Sequence, residues 1–272
     1  MPGGSRMPTI RETYGFQRSP FSKDVSFKEL YHYPQLELLF DRLRETTGDG
    51  AGLLVTGRAG TGKTTAVRGF LDSLGASHRV IYLGQYQRGS ALFARLGLEF
   101  GLRNHLLGSK RMVGLVQKVT EESGSGRKLV LVIDEAHLLE RPTLEDIRLL
   151  TNSDMDRRSP MSLIMLGQRW LRGMLKKEGH EALYQRLRLR YALEGLSEAE
   201  TQEYIQHHLK LAGCAKMLFC NAAVKLIFVA SEGILREINN ICYESLLVGA
   251  GRKASTIDEE IVTWVIDQRE VS

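Results

Sequence analysis

The stretch that decides the fold is Gly57-Arg58-Ala59-Gly60-Thr61-Gly62-Lys63-Thr64, which fits the pattern G-x-x-x-x-G-K-[ST] of a phosphate-binding loop. Its flanks suit that reading and argue against a chance glycine-rich turn. Leu53-Leu54-Val55-Thr56 is a short apolar run that predicts a buried strand entering the loop. Thr65 to Leu71 continues at helical spacing, with Val67, Phe70 and Leu71 on one face. Glycines at 57, 60 and 62 let the backbone curl so that successive N–H groups face an anion, and the following helix N-terminus adds partial positive charge. Lys63 then reaches the terminal phosphates of a nucleotide such as ATP, and the Thr64 hydroxyl suits Mg²⁺. The backbone of Gly57, Ala59, Gly60, Thr61, Gly62 and Thr65 completes the cradle.

A second anchor lies downstream. Leu129-Val130-Leu131-Val132-Ile133 reads as a fully buried strand delivering Asp134 and Glu135 at its C-terminal end, which is where ligands bind in open α/β sheets. Neither acid makes sense inside a core. The first suits a Mg²⁺ shell and the second suits polarising an attacking water. Ser162 to Leu166 predicts the next strand, and Gln168 at its end falls within reach of a γ-phosphate. Further strands or helices are expected at Leu36–Leu43 (helix), Val80–Leu83 (strand), Ser90–Phe100 and Met112–Glu122 (helices), and at a helix closing on Leu144, Ile147 and Leu150. Alternating strands and helices imply a parallel sheet covered on both faces. Tyr184 to Arg190 alternates arginine with leucine. That pattern fits an edge strand with a basic face, or an arginine presented to a neighbour's nucleotide.

Composition changes at Gly195. Ser197-Glu198-Ala199-Glu200 is a capping box opening a helix through Leu211, and three more helices are expected over Ala222–Ala230, Leu235–Val248 and Thr256–Ile266, the last opened by Thr256 and Glu259. The expected division is a linker and first helix over residues 1–50, an αβα nucleotide-binding domain over 51–195 and an all-helical lid over 196–272. Residues 1–13 show no periodicity and read as a loose start. Tyr14 to Phe21, with three aromatics, reads as an extended segment pinned to a surface. The three cysteines have no C-x-x-C spacing and suggest reduced thiols, the histidines form no metal spacing, and no apolar run is long enough to span a bilayer. A cytoplasmic protein is expected. The net charge of +5 is concentrated between Ile81 and Lys128, where eight basic residues face three acids. A one-sided basic stretch invites a polyanion.

This order of motifs resembles the AAA+ ATPases, and most closely their ExeA-like branch, which includes secretion-associated ATPases and helpers of DNA transposition. The resemblance runs from about residue 14 to 266 and is carried by Tyr14-Gly15-Phe16 with Pro20-Phe21, Gly57–Thr65, Ile133–His137, Leu149–Asn152, Leu166-Gly167-Gln168, Gln185-Arg186 and Gly233–Asn240. It implies Walker A roles for Lys63 and Thr64 and Walker B roles for Asp134 and Glu135. It implies sensor I for Gln168, a finger acting in trans for Arg186, and sensor II for Arg236, where Leu235 replaces the proline frequent in the family. Phe16 and Phe21 resemble the segment lining the adenine pocket. The function it implies is an ATP- and Mg²⁺-dependent ATPase that assembles as a ring or filament on duplex DNA and recruits or activates a transposase. Elements after the second strand face DNA in that reading, which points to Arg88, Lys110 and Arg111. The alternative is an ATPase of an envelope secretion system. Secretion members usually carry a membrane segment and a wall-binding extension beyond the ATPase core, and the chain ends at Ser272 with neither, which on sequence alone favours the transposition helper. A metabolic kinase has no acceptor-binding motif to support it.

Overall fold

The computed structural model describes residues 9–22, 24–84, 89–102, 108–124, 126–151, 159–177 and 179–270. Arg88, one of the expected DNA contacts, and Asn152 lie outside them. The chain divides into two compact units, residues 34–59 with 63–193 and residues 1–33 with 60–62 and 194–272.

The first unit is built on a five-stranded sheet. Its strands are β1 (Gly52–Thr56), β2 (His78–Leu83), β3 (Lys128–Ile133), β4 (Ser162–Gly167) and β5 (Leu189–Ala192). They lie in the order β2-β3-β4-β1-β5, and every pairing is parallel. The central strands β1, β3 and β4 are buried almost throughout, because parallel sheets are covered on both faces and their strands read as unbroken apolar runs. The covering helices are α2 (Pro34–Asp49), α3 (Lys63–Asp72), α4 (Gly89–Glu99), α5 (Gly108–Gly124), α6 (Arg141–Leu150), α7 (Trp170–Leu175) and α8 (Glu181–Arg186). Phe40 and Phe70 stack at 5.9 Å where α2 meets α3. The parallel sheet is the one the sequence implies.

Two local expectations change. Tyr184–Arg186 closes α8 instead of opening a strand, because Leu183 and Leu187, one helical turn apart, are both buried. The edge strand begins only at Leu189. α5 starts at Gly108 and runs through Gly124, longer at both ends than the expected Met112–Glu122. The α4–α5 pair is tied to the sheet by Arg79 of β2, whose guanidinium pairs with Glu122, donates to the Glu99 carbonyl and lies over the Phe100 ring.

The second unit is helical: α9 (Glu198–Leu211), α10 (Asn221–Ser231), α11 (Leu235–Gly251) and α12 (Glu259–Glu270), packed around Tyr204, Leu209, Ile227, Cys242, Leu246 and Val262. The Ser197/Glu200 capping box opens α9 as the sequence suggests. α12 instead takes its cap from Asp258, whose carboxylate accepts the Ile261 N–H at 3.0 Å, so Thr256 is not the cap. The expected loose start contains a short helix, α1 (Ile10–Tyr14), with its own capping box of Thr9 and Glu12. The stretch after it is pinned down, as its aromatics suggest. Gln17 N–H donates to the Ala212 carbonyl (2.8 Å) and Arg18 Nε to that of Leu211 (2.9 Å). Residues 1–33 thus group with the helical unit and α2 with the sheet unit, whereas a boundary near residue 50 was expected. Among the described residues, no helix is long and apolar enough to cross a membrane.

Candidate nucleotide site

β1 leads straight into the glycine-rich loop. Gly60 and Gly62 take φ values of 85° and 87°, a region that side chains disfavour, so glycine at both positions follows from the curl of the loop. Gly57 N–H donates to the Gly167 carbonyl at 3.3 Å, fixing the loop entry to the end of β4. Lys63 is buried, and its ammonium donates to the carbonyls of Gly57 (3.0 Å) and Arg58 (2.8 Å). The cation therefore sits at the loop mouth, where phosphate oxygens can replace carbonyl oxygens as acceptors.

The end of β3 meets the start of α3. Thr64 Oγ1 donates to Asp134 Oδ2 at 2.7 Å, and Tyr82 of β2 donates its phenol to the same oxygen at 2.7 Å. Glu135 N–H donates to Asp134 Oδ1 at 2.7 Å. Burial, reinforced by the Asp134 carboxylate, holds the Tyr82 phenol above the ordinary tyrosine range. Thr64 and Asp134 thus offer two hard oxygen donors side by side, the donor set that Mg²⁺ prefers. Glu135 follows in a left-handed conformation, φ 50°. Its Oε2 lies 3.3 Å from Nδ1 of His137, which in turn accepts the Gln168 N–H at 3.4 Å. Since β3 and β4 are neighbours in the sheet, Glu135 and Gln168 come to one edge of it.

The other expected site residues fall elsewhere. Arg186 is not at this chain's own loop. Its backbone packs against Gly52, the first residue of β1, so closely that a Cβ on Gly52 would meet the Arg186 carbonyl oxygen at 2.4 Å. Its guanidinium donates to the Thr151 carbonyl at 3.0 Å. Arg188 pairs with Glu45, and Arg190 lies over the Tyr184 ring. In the helical unit, Arg236 has an exposed side chain, and its backbone N–H donates to the Gly60 carbonyl at 3.1 Å. Phe16 and Phe21 are only 5% and 6% exposed. Phe21 stacks on His208 of α9 at 5.5 Å. These rings anchor the N-terminal segment on the helical unit. Lys110 is exposed on the first turn of α5, while Arg111 is half-buried with its stem facing Gly97 of α4. Tyr82 was not singled out from sequence, and His137 only as the last residue of the Ile133–His137 motif, without a role. Both act through contacts across neighbouring strands, and neither local spacing nor composition signals that.

This arrangement is the fold and site geometry of the P-loop ATPases of the AAA+ type: a parallel sheet with the glycine-rich loop, the paired acids and a polar strand end gathered at one edge, and a helical unit beside it in sequence. The profile of the AAA domain matches residues 46–175. Over 248 residues the chain is 32% identical to general secretion pathway protein A of Aeromonas hydrophila, covering 90% of this chain and 45% of that protein. The chain thus spans about half the length of the curated relative it matches. Among solved structures, the fold is similar to Cdc6p from Pyrobaculum aerophilum (TM-score 0.68, 17% identity, 87% of this chain and 67% of that one). It is also similar to the Aeropyrum pernix ORC1 protein in complex with DNA (TM-score 0.67, 16% identity, 89% and 67%). The Thermotoga maritima RuvB Holliday junction branch migration motor is a third likeness (TM-score 0.59, 18% identity, 93% and 74%). The reaction of this class is hydrolysis of ATP to ADP and phosphate.

Proposed function

We propose that the chain is a Mg²⁺-dependent ATPase switched on by self-assembly, and that it assembles on duplex DNA to recruit or activate a transposase. The observation that carries the assembly is the position of Arg186 against the first residue of β1, while the phosphate loop follows the last. An arginine held there serves a neighbour's nucleotide, not its own.

The roles proposed within one subunit are supported by the geometry above. The loop N–H groups from Gly57 to Thr65 and the Lys63 ammonium hold the phosphates. Thr64 and Asp134 hold Mg²⁺, which when bound neutralises charge on the phosphate oxygens. Glu135 orients and polarises the attacking water, Gln168 stands beside the γ-phosphate, and Arg236 reaches the phosphates from the helical unit. Lys63 acts on the bound ground state, whereas Glu135 acts mainly on the transition state.

Two observations support DNA as the polyanion. The whole basic excess of the chain falls between Ile81 and Lys128, and Lys110 stands exposed at the start of α5. One of the structures with the same fold, ORC1, was solved in complex with DNA. A second reading, an ATPase of an envelope secretion apparatus, is favoured by the 32% identity to a secretion pathway protein. ATPase rate with and without plasmid separates the two. Stimulation by DNA, lost at high salt as counterion release requires, supports the first reading. A rate indifferent to DNA at low salt discards it in favour of the second.

A further inference from the structure

His137 is buried, yet the Walker-type chemistry described above gives it no task. Its ring nitrogen Nδ1 lies 3.3 Å from Glu135 Oε2 and 3.4 Å from the backbone nitrogen of Gln168. One nitrogen cannot serve both. With a lone pair, Nδ1 accepts the Gln168 N–H and faces the carboxylate lone pair to lone pair. With a proton, it donates to Glu135 and leaves the Gln168 N–H without its acceptor. The two hydrogen bonds are alternatives.

The surroundings are shaped for this contact. Gly167, the last residue of β4, lies so close that a Cβ there would stand 3.3 Å from Nδ1 and 3.4 Å from the His137 backbone nitrogen. The ring also meets Trp170, with centroids 4.9 Å apart and planes at 83°. Glu135 itself needs external support. Its left-handed backbone is a strained conformation that persists only when neighbours over-determine it. Its side chain is half exposed and is otherwise free to rotate.

We propose that His137 is a positioning residue for Glu135. It holds the carboxylate in its working orientation through Nδ1 and exchanges that bond for one from Gln168 N–H. The position of the β4 end, where Gln168 faces the γ-phosphate, thereby sets the orientation of the carboxylate. The inference rests on the reading of Glu135 as the group that polarises water. It adds a residue outside the phosphate loop and the two acids, and a specific route from Gln168 to Glu135.

The test compares the full-length chain with His137→Ala, His137→Asn, Glu135→Gln and the double variant Glu135→Gln/His137→Ala. Asparagine places a donor or an acceptor near the position of Nδ1, whereas alanine supplies neither. His137→Ala lowers kcat about 100-fold, the cost of misplacing a reacting group by about 1 Å, and leaves KM for ATP unchanged. His137→Asn recovers most of that loss. In the Glu135→Gln background His137→Ala costs nothing further, because the group it positions is already disabled. Trp170 supplies a second readout. In a Trp264→Phe background it is the sole tryptophan of the chain, and its emission changes on ATP binding in the parent but not in His137→Ala. Unchanged kcat in His137→Ala, with Glu135→Gln inactive, overturns the role of His137 while leaving Glu135 in place. Parental turnover in Glu135→Gln overturns the reading of Glu135 and the proposal with it. Equal losses in the alanine and asparagine variants, with KM raised, mark a merely structural histidine and also overturn it.

Discussion

An arginine that serves only a neighbour makes a quantitative prediction for mixed assemblies. Gly52 and Thr56 bracket β1, and four steps along a strand span roughly 13 Å. Arg186 is held at the near end of that span, with its guanidinium on the Thr151 carbonyl. Arg186→Ala alone should lower turnover by about 10³-fold or more, the usual contribution of such a finger. Glu135→Gln binds ATP and offers Arg186 but cannot turn over. Each variant is therefore inactive alone. Each site needs an intact Glu135 in its own subunit and an intact Arg186 in the next, a head-to-tail dependence that a heterologous interface imposes. At equal mixing, chance places both in about one quarter of the sites, so phosphate release recovers to about 25% of the parental rate. Recovery follows the product of the two fractions, with a maximum at equal amounts. Phosphate release measured across mixing ratios, with light scattering to confirm that the variants co-assemble, is the assay. No recovery at any ratio in co-assembled samples, or full activity in Arg186→Ala alone, refutes the reasoning.

Two further outcomes follow from other parts of the molecule. Replacing Lys110 and Arg111 by alanine should weaken DNA binding and flatten the plot of log affinity against log salt by about 0.9 per lost phosphate contact, with DNA-independent turnover intact. Unchanged affinity and slope in a filter-binding titration would move the DNA contacts elsewhere. In the helical unit, burial between Phe21 and Tyr204, with lesser contributions from His207 and Arg18, lowers the pKa of His208 to about 3. The unfolded chain binds that proton near pH 6.5 and the folded one does not. His208 therefore costs nothing above about pH 6.5, and stability falls with a limiting slope of about 1.4 kcal/mol per pH unit as pH drops toward 3. Chemical denaturation at stepped pH checks this, and His208→Phe should remove that slope.

The parts of the fold that could be read from sequence are those whose physics is local. β3 and β4 are continuous apolar runs because both faces are covered, and the Ser197/Glu200 box closes on itself within one helical turn. The phosphate loop is legible because its glycines, lysine and threonine are required at fixed spacing. The Tyr184–Arg190 alternation misled because two leucines four apart fit a short helix as well as two-residue alternation fits a strand, and packing of Leu183 and Leu187 decides between them. Phe16 and Phe21 were recognisable as anchors, but their destination depends on α9, nearly two hundred residues away. The contacts of His137 and Tyr82 were invisible for a related reason. The partner of Tyr82 is set by the register of β2 on β3, and that of His137 by the position of β4 beside β3.

The pinning of residues 9–33 to the helical unit has a consequence for how the chain is made. The sheet unit is in effect inserted into the helical one, since the chain starts in the latter, leaves it at Tyr33 and returns at Glu194. Arg18 and its acceptor Leu211 are 193 residues apart, and Glu29 and His207 are 178 apart. At synthesis rates of about 5–20 residues per second the N-terminal segment waits roughly 10–40 s for its docking surface to emerge. During that time Phe16 and Phe21 have no native cover, and by its end every strand of the sheet is translated. The sheet unit thus has the opportunity to fold before the helical unit can close. A fragment cut to the α/β core alone removes that wait, whereas one that keeps residues 9–33 but stops near Leu193 leaves two aromatic rings permanently bare.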